Sequence, residues 1–347
     1  MICNLTTFRI VILILLPCIY LIVFQVILDG KEHTEITKDT EIYNEHDNDT
    51  KPHPYKKWKY YKAKDAQDGI KRRFPAFIII GAQKCGTQAL ATFLDLHSHL
   101  HRSRQFEVHF FDKRLPKNYS YDWYLDAMPS VPASHMGFEK TPAYLDMANP
   151  KDIYNMNKDV KLIVIICDPV DRAMSAYLHR REHGIFPNNS EFGDVAINKW
   201  GQVNKTCDVI ERGLYVNYIK KYLKYFPLDQ MLFLDKANYK QDPFAALRTV
   251  ESFLNVPHFD FTKVLYFNSI QGVNCVVPTP KNLEKINKGK NRETIDSKGC
   301  FDETKHRQHP PMSLINRNKL QQFFKFYNTE LSKLTGVNFT WISYDSE

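Results

Sequence analysis

FIIIGAQKCGTQAL, running from Phe77 to Leu90, decides the fold. Four apolar residues ended by Gly81 have the pattern of a short strand buried on both faces. A tight polar turn follows, and Gln88 to Leu96 then carries apolar residues at helical spacing. The same alternation recurs downstream. VKLIVII (Val160 to Ile166) predicts a second buried strand, with a helix from about Val170 to Arg181. MLFLD (Met231 to Asp235) predicts a third, between helical segments at Tyr215 to Tyr225 and Pro243 to Leu254, and helix returns from Ser313 to Leu334. Strands alternating with helices predict an α/β domain, a P-loop-like parallel sheet flanked by helices, and one domain from residue 74 to 347 suffices.

The turn carries chemistry. Between strand and helix, backbone N–H groups and the positive helix end converge on an anion, and glycine permits close approach. Lys84 adds a mobile charge and Thr87 a hydroxyl, so Lys84, Cys85, Gly86, Thr87 and Gln88 are the candidate anion-binding residues. Lys84 precedes Gly86, whereas in a Walker A loop lysine follows the second glycine, which argues against an ATP- or GTP-cleaving enzyme. On these residues alone a plain glycine turn stays open.

The 347 residues are 43% hydrophobic and 25% charged, a globular balance that excludes wholesale disorder. A formal charge of +8 suits an anionic partner without identifying it. From Ile10 to Leu28 the run IVILILLPCIYLIVFQVIL is long enough to span a bilayer. With Arg9 before it and no A-x-A-like site after it, it reads as a signal anchor rather than a cleaved signal peptide. Residues 1–9 are then a cytoplasmic tail and 29–73 a luminal stem, whose last part, from Tyr55 to Arg73, turns basic and aromatic. Sequons at Asn48, Asn118, Asn188, Asn204 and Asn338 agree with luminal placement. Beyond the anchor stand Cys85, Cys167, Cys207, Cys275 and Cys300. In an oxidising compartment this odd set predicts one or two disulfides and at least one free thiol, and spacing does not choose the pairs. No Cys/His cluster has zinc-site spacing, so no metal is expected.

The loop and several ordered segments beyond it resemble the Golgi heparan sulfate sulfotransferases. The segments are FEVHFFD (Phe106 to Asp112), FEKTPAY (Phe138 to Tyr144), DPVDRAMSAY (Asp168 to Tyr177), YLKYFP (Tyr222 to Pro227) and CFDETKHRQHP (Cys300 to Pro310), and the likeness covers residues 74 to 341. It implies the sulfotransferase fold, a single-pass type II Golgi protein with a luminal domain, 3′-phosphoadenosine 5′-phosphosulfate as sulfate donor, and heparan sulfate as acceptor, with no nucleic acid partner. It assigns Lys84 to the 5′-phosphosulfate end of the donor and Glu107 to the catalytic carboxylate. Lys140 becomes a second active-site lysine, with His109 and Asp112 as neighbours of the base. Ser175 is expected at the donor's 3′-phosphate, and Lys305, His306, Arg307, Gln308 and His309 on a late loop over the nucleotide. Cys275 and Cys300 match the disulfide bracing that loop; closing about 26 residues stabilises by roughly 3–4 kcal/mol in the chain-entropy model. The same span carries Lys281, Lys285, Lys288, Lys290 and Arg292, a basic stretch expected either to touch polysaccharide or to form an insertion.

Two physical expectations accompany these roles. The apolar neighbours Phe106, Val108, Phe110 and Phe111 would raise the Glu107 pKa toward a general base's working range. An extended segment would put His109 on the same side as Glu107, while Glu139 would orient a neighbour or pair with Lys140. His109, Asp112 and the single-domain length favour a heparan sulfate glucosamine 3-O-sulfotransferase. Gln83, neutral Cys167 where that branch usually carries arginine, and the run DRAMSAYLHRREH lean toward an N-sulfotransferase. The third alternative is a heparan-binding protein of the same fold without turnover.

Overall fold

The computed structural model describes residues 69–112, 119–287, 295–302 and 309–342, all within one compact unit. The expected anchor at Ile10–Leu28, most of the stem, and Lys305, His306, Arg307 and Gln308 of the late loop lie outside the described residues. Among the described residues no helix is long and apolar enough to cross a membrane.

Five parallel strands make the central sheet: β1 (Phe77–Gly81), β2 (Leu100–Arg102), β3 (Met136–Lys140), β4 (Lys161–Ile166) and β5 (Met231–Asp235), in the order β2-β3-β1-β4-β5. β1, β4 and β5 are the three strands the hydropathy pattern predicts. β2 and β3 lack its continuous aliphatic run: LHR is short, and MGFEK buries a glutamate and a lysine at its C-terminal end. They form through pairing with neighbours rather than through their own composition.

Side chains of β1 and β4 part by strand periodicity into two cores. Ile78, Ile80, Leu162, Val164 and Ile166 pack on one face, under Tyr215, Ile219 and Tyr222 of α3 (Tyr215–Tyr222). Phe77, Ile79, Ile163 and Ile165 pack on the other, against Leu90 and Leu94 of α1 (Thr87–Leu96) and Leu247, Val250 and Leu254 of α4 (Pro243–Leu254). Each of these aliphatic side chains contributes about 1.5–3 kcal/mol by leaving water, which is why the all-apolar strands dominate the architecture. A third cluster joins α2 (Pro169–Glu182) to Leu320 and Phe324 of α5 (Leu314–Thr335).

Local chemistry sets the helix starts. Asp168 caps α2 by accepting from Val170 N at 2.8 Å, with Pro169 in the first turn, where a missing N–H costs nothing. Ser313 caps α5 through Asn316 N at 3.2 Å. Lys71–Arg72 pairs antiparallel with Ser130–Val131, and Arg72 forms an ion pair with Asp126, so the fold engages the end of the basic stretch.

Cys275 and Cys300 form a disulfide with Cα atoms 4.5 Å apart, joining the hairpin Leu265–Asn268/Val273–Val276 to the bridge between Ile295 and Phe301. Replacing both cysteines with serine is expected to lower stability by roughly 3 kcal/mol. Chemical denaturation would read this as a lower midpoint, with a steeper slope as the freed chain exposes more surface; an unaltered midpoint would show the closure to be energetically idle.

Candidate active site

In the order β2-β3-β1-β4-β5 the chain leaves β1 for β2 on one side and leaves β4 for β5 on the other, so a crevice opens beyond the C-terminal ends of the strands. The candidate residues gather at those ends. Gly81 closes β1 with its Cα against Leu145; a Cβ there would lie 2.7 Å from Leu145 Cβ, so no larger residue fits without movement. The turn continues through Lys84 at φ +73° and Gly86 at φ +97°. The glycine adopts this region freely, whereas a lysine there costs on the order of 1–2 kcal/mol. α1 starts directly after Gly86 with no side-chain cap and no acidic residue in its first turn, the arrangement that leaves helix-terminal N–H groups facing an anion. Thr87 is buried and Lys84 half-buried at this turn. Gln88 points elsewhere: its amide donates to Thr92 Oγ1 (3.2 Å) and its carbonyl accepts from Arg102 (3.2 Å).

Cys85 is bonded to Cys167, the first residue after β4, with Cα atoms 5.4 Å apart. The neutral residue at position 167 is therefore half of a covalent tie to the loop. The expectation that spacing leaves the pairs undetermined is resolved by the fold, since parallel neighbours β1 and β4 bring together residues 82 apart in sequence. Gln83 is likewise engaged from a distance. Arg212 donates to its Oε1 at 2.8 Å while Arg212 Nε pairs with Asp146 at 2.9 Å. Nothing in the local sequence announces Arg212, which reaches the loop from 129 residues away.

Glu107 and its neighbours form a chain of charged hydrogen bonds. Lys140, from the end of β3, donates to Glu107 Oε1 at 2.6 Å and lies 3.9 Å from the centre of the Phe106 ring. His109 Nε2 is 3.1 Å from Glu107 Oε2, and its Nδ1 is 2.5 Å from Asp112 Oδ2. Both ring nitrogens face carboxylates, which accept only, so the geometry suits an imidazolium with a proton on each nitrogen. Phe106 to Asp112 is not extended: His109 sits at φ +56° and the segment holds no strand. The two side chains meet because the backbone folds back, with Val108 N donating to Thr141 Oγ1 and Phe110 N to the Tyr144 hydroxyl.

This chain reverses the expected direction of the Glu107 shift. Burial pushes the carboxyl up, as its apolar neighbours imply, but Lys140 first and His109 next hold it well below the usual carboxylate range. Glu107 is thus an ionised carboxylate whose side chain keeps 22% exposure, while that of Lys140 keeps 1%. Lys140 acts first on Glu107.

Glu139 does not pair with Lys140. It turns to the other face of β3, accepting from Tyr124 (2.5 Å), Thr141 (3.0 Å) and Tyr144 (3.5 Å), and complete burial raises it to about 7. A raised carboxyl contributes stability that is whole below its unfolded value of 4.5 and is lost as pH rises through about 7. Thermal melts should therefore show wild-type Tm falling relative to that of Glu139→Gln between pH 5 and 7.5. Parallel curves would show that Glu139 does not titrate there.

Ser175 lies half-buried on α2, whose first turn Cys167 and Asp168 place beside the loop. Tyr215 completes the packing, donating to the Cys167 carbonyl at 3.0 Å and lying 3.6 Å from Cys85 Sγ. His309 is exposed; Lys285, in the helix Pro280–Asn287, donates to the His97 carbonyl at 2.8 Å. At the far end of α2 the ligand atoms of His179, Glu182 and His183 lie within 4.8 Å of one another, a grouping that helical spacing creates and the Cys/His spacing of zinc sites does not describe.

The sulfotransferase domain model matches residues 74–335. The chain belongs to the sulfotransferase family. Mouse heparan sulfate glucosamine 3-O-sulfotransferase 3B1 is 33% identical over 273 residues, 78% of this chain and 65% of that relative's length. Human heparan sulfate glucosamine 3-O-sulfotransferase 6 is 32% identical over 275 residues, covering 78% of this chain and 75% of that protein. The chain thus spans just under two thirds of the first of these relatives and three quarters of the second. Among solved structures, a sulfotransferase from Alicyclobacillus acidocaldarius superposes with a TM-score of 0.55 at 21% identity, over 78% of this chain and 99% of that one, a likeness of fold.

Proposed function

We propose that this sulfotransferase moves a sulfuryl group from 3′-phosphoadenosine 5′-phosphosulfate to the 3-hydroxyl of glucosamine in heparan sulfate, with Glu107 as general base. The observation that carries the reading is the Lys140–Glu107–His109–Asp112 chain at the strand ends that also hold the anion loop. Transfer needs three things: a base for the acceptor proton, cations for the charge on the moving group, and in-line placement. Glu107 is ionised and still reachable. Asp112 and His109 fix its direction, as an orienting carboxylate fixes a catalytic imidazole. Lys84 and the first-turn N–H groups of α1 face the donor's phosphosulfate, where fixed donors stabilise developing charge without reorganisation. Ser175, with His309 and the loop residues Lys305, His306, Arg307 and Gln308, is assigned to the nucleotide. The donor supplies the activated sulfate; proton removal and charge stabilisation fall to this chain.

The disulfides Cys85–Cys167 and Cys275–Cys300 favour an oxidising compartment and so a luminal domain. With the apolar run Ile10–Leu28 this supports a type II Golgi membrane protein.

The test is transfer itself: the full-length chain, radiolabelled donor, and heparan sulfate or N-desulfated heparan as acceptor, followed by disaccharide analysis. Label on the glucosamine 3-hydroxyl supports the proposal. Label on the amine makes the protein an N-sulfotransferase, the reading that Gln83 and Cys167 lean toward. Nucleotide binding without transfer to either acceptor leaves a heparan-binding protein of the same fold.

A further inference from the structure

We propose that the Cys85–Cys167 disulfide is a positioning element for the sulfate donor, so that donor binding requires this bond to be oxidised. The inference rests on the donor reading above and goes further by naming what holds the donor loop in its binding shape.

The bond spans the crevice between β1 and β4, the two neighbours from which the chain departs to opposite sides. Cys85 stands inside the anion loop, and Cys167 immediately precedes Asp168, the cap of α2. One covalent link thereby fixes the starts of two helices, α1 and α2, which the donor reading assigns to the phosphosulfate and the 3′-phosphate.

Its position in the loop matters as much as its span. Cys85 lies between Lys84 and Gly86, both with positive φ. A lysine keeps such a conformation only where the surroundings over-determine it. Ala82 N donates to Ile165 O at 2.7 Å and Arg212 holds Gln83, so the near side of the loop is fastened to β4 and to Arg212 before the chain reaches Lys84. The disulfide supplies the fastening just beyond it. Tyr215 packs on both halves, and both cysteines are buried, Cys85 fully and Cys167 at 5% exposure. A buried bond of this kind forms with the fold and serves structure, unlike an exposed pair exchanging during turnover.

Opening the bond requires a dithiol reductant. Its thiolate attacks one sulfur to give a mixed disulfide, and its second thiol displaces that sulfur. The dithiol ends as a cyclic disulfide, and two electrons and two protons end on Cys85 and Cys167 as thiols. Two thiols cannot remain at bonding distance, so Cys85 must move off Cys167 and carry the loop N–H groups with it.

The experiment measures 3′-phosphoadenosine 5′-phosphate binding by calorimetry for oxidised wild type and for Cys85→Ser/Cys167→Ser, with amide hydrogen exchange on the same samples. The variant is expected to bind at least about tenfold more weakly, equivalent to about 1.4 kcal/mol. KM for donor should rise with KM for heparan sulfate unchanged, and exchange should quicken over residues 82–88 but not in α4. In a second arm that needs no variant to fold, wild type is equilibrated in dithiothreitol buffers and the open fraction read by mass spectrometry of alkylated peptides. Affinity should fall in step with opening. Affinity within twofold of the oxidised protein when the bond is open overturns the proposal. Failure of oxidised wild type to bind the nucleotide at all would instead bring down the donor reading, and the donor role of the bond with it.

Discussion

Glu107→Gln is expected to lower the transfer rate by at least a hundredfold while leaving nucleotide binding within a factor of two. Proton removal by a positioned base contributes typically 10²–10⁴ in rate, and an amide cannot take the proton. Glutamine is chosen because the site tolerates it. Its carbonyl still accepts from Lys140, and its NH₂ faces His109 Nε2, which accepts once the ring carries its single proton on Nδ1 toward Asp112. Alanine is less informative. It leaves Lys140 buried without its carboxylate, and breaking a buried pair by removing one partner costs about 3–5 kcal/mol. Single-turnover transfer at saturating donor, beside calorimetric nucleotide binding, separates the two effects. A Glu107→Gln protein that keeps a tenth of wild-type transfer would remove Glu107 as the base.

Legibility followed the physics of each feature. β1, β4, β5 and α4 are readable because buried parallel strands and capped amphipathic helices carry their reasons in consecutive residues. The turn between β1 and α1 is legible for the same reason: strand, glycine, lysine, glycine and helix are contiguous. What escaped was set by pairing across the fold. Arg212 on Gln83, Tyr215 on Cys167 and the Cys85–Cys167 bond join residues that no local pattern relates. The Glu107 shift runs against its local sequence for a related reason. Its apolar neighbours in sequence were visible, whereas the cation that outweighs them arrives from β3, 33 residues on. The family resemblance gave Lys140 a place in the site, and only the coordinates gave it Glu107 as partner.

Lys140→Met tests that partnership through the pH profile. In wild type, burial opposes the Glu107 charge and Lys140, followed by His109, overcomes it, so this carboxyl is ionised across the range in which the enzyme is handled. A carboxyl held low contributes stability above its unfolded value and loses it only as pH falls through the folded one, so neither fold nor base should titrate near neutrality on account of Glu107. Methionine keeps the length of the chain over the Phe106 ring and removes the charge. Burial is then opposed without the Lys140 charge, His109 remaining, and the Glu107 pKa moves up. Below the new value the base carries a proton and transfer falls about tenfold per pH unit; above it, transfer recovers toward a plateau. Wild type should show no such acid limb from Glu107, and the variant should show one displaced toward neutral pH. Measuring kcat from pH 5 to 9 for both proteins decides the matter. If Lys140→Met lowers the rate by one constant factor at every pH, Lys140 acts on the moving sulfate alone and not by keeping Glu107 charged. A displaced limb assigns it the second role, and explains why a lysine this deeply buried is placed at the end of β3 beside an exposed edge of carboxylate.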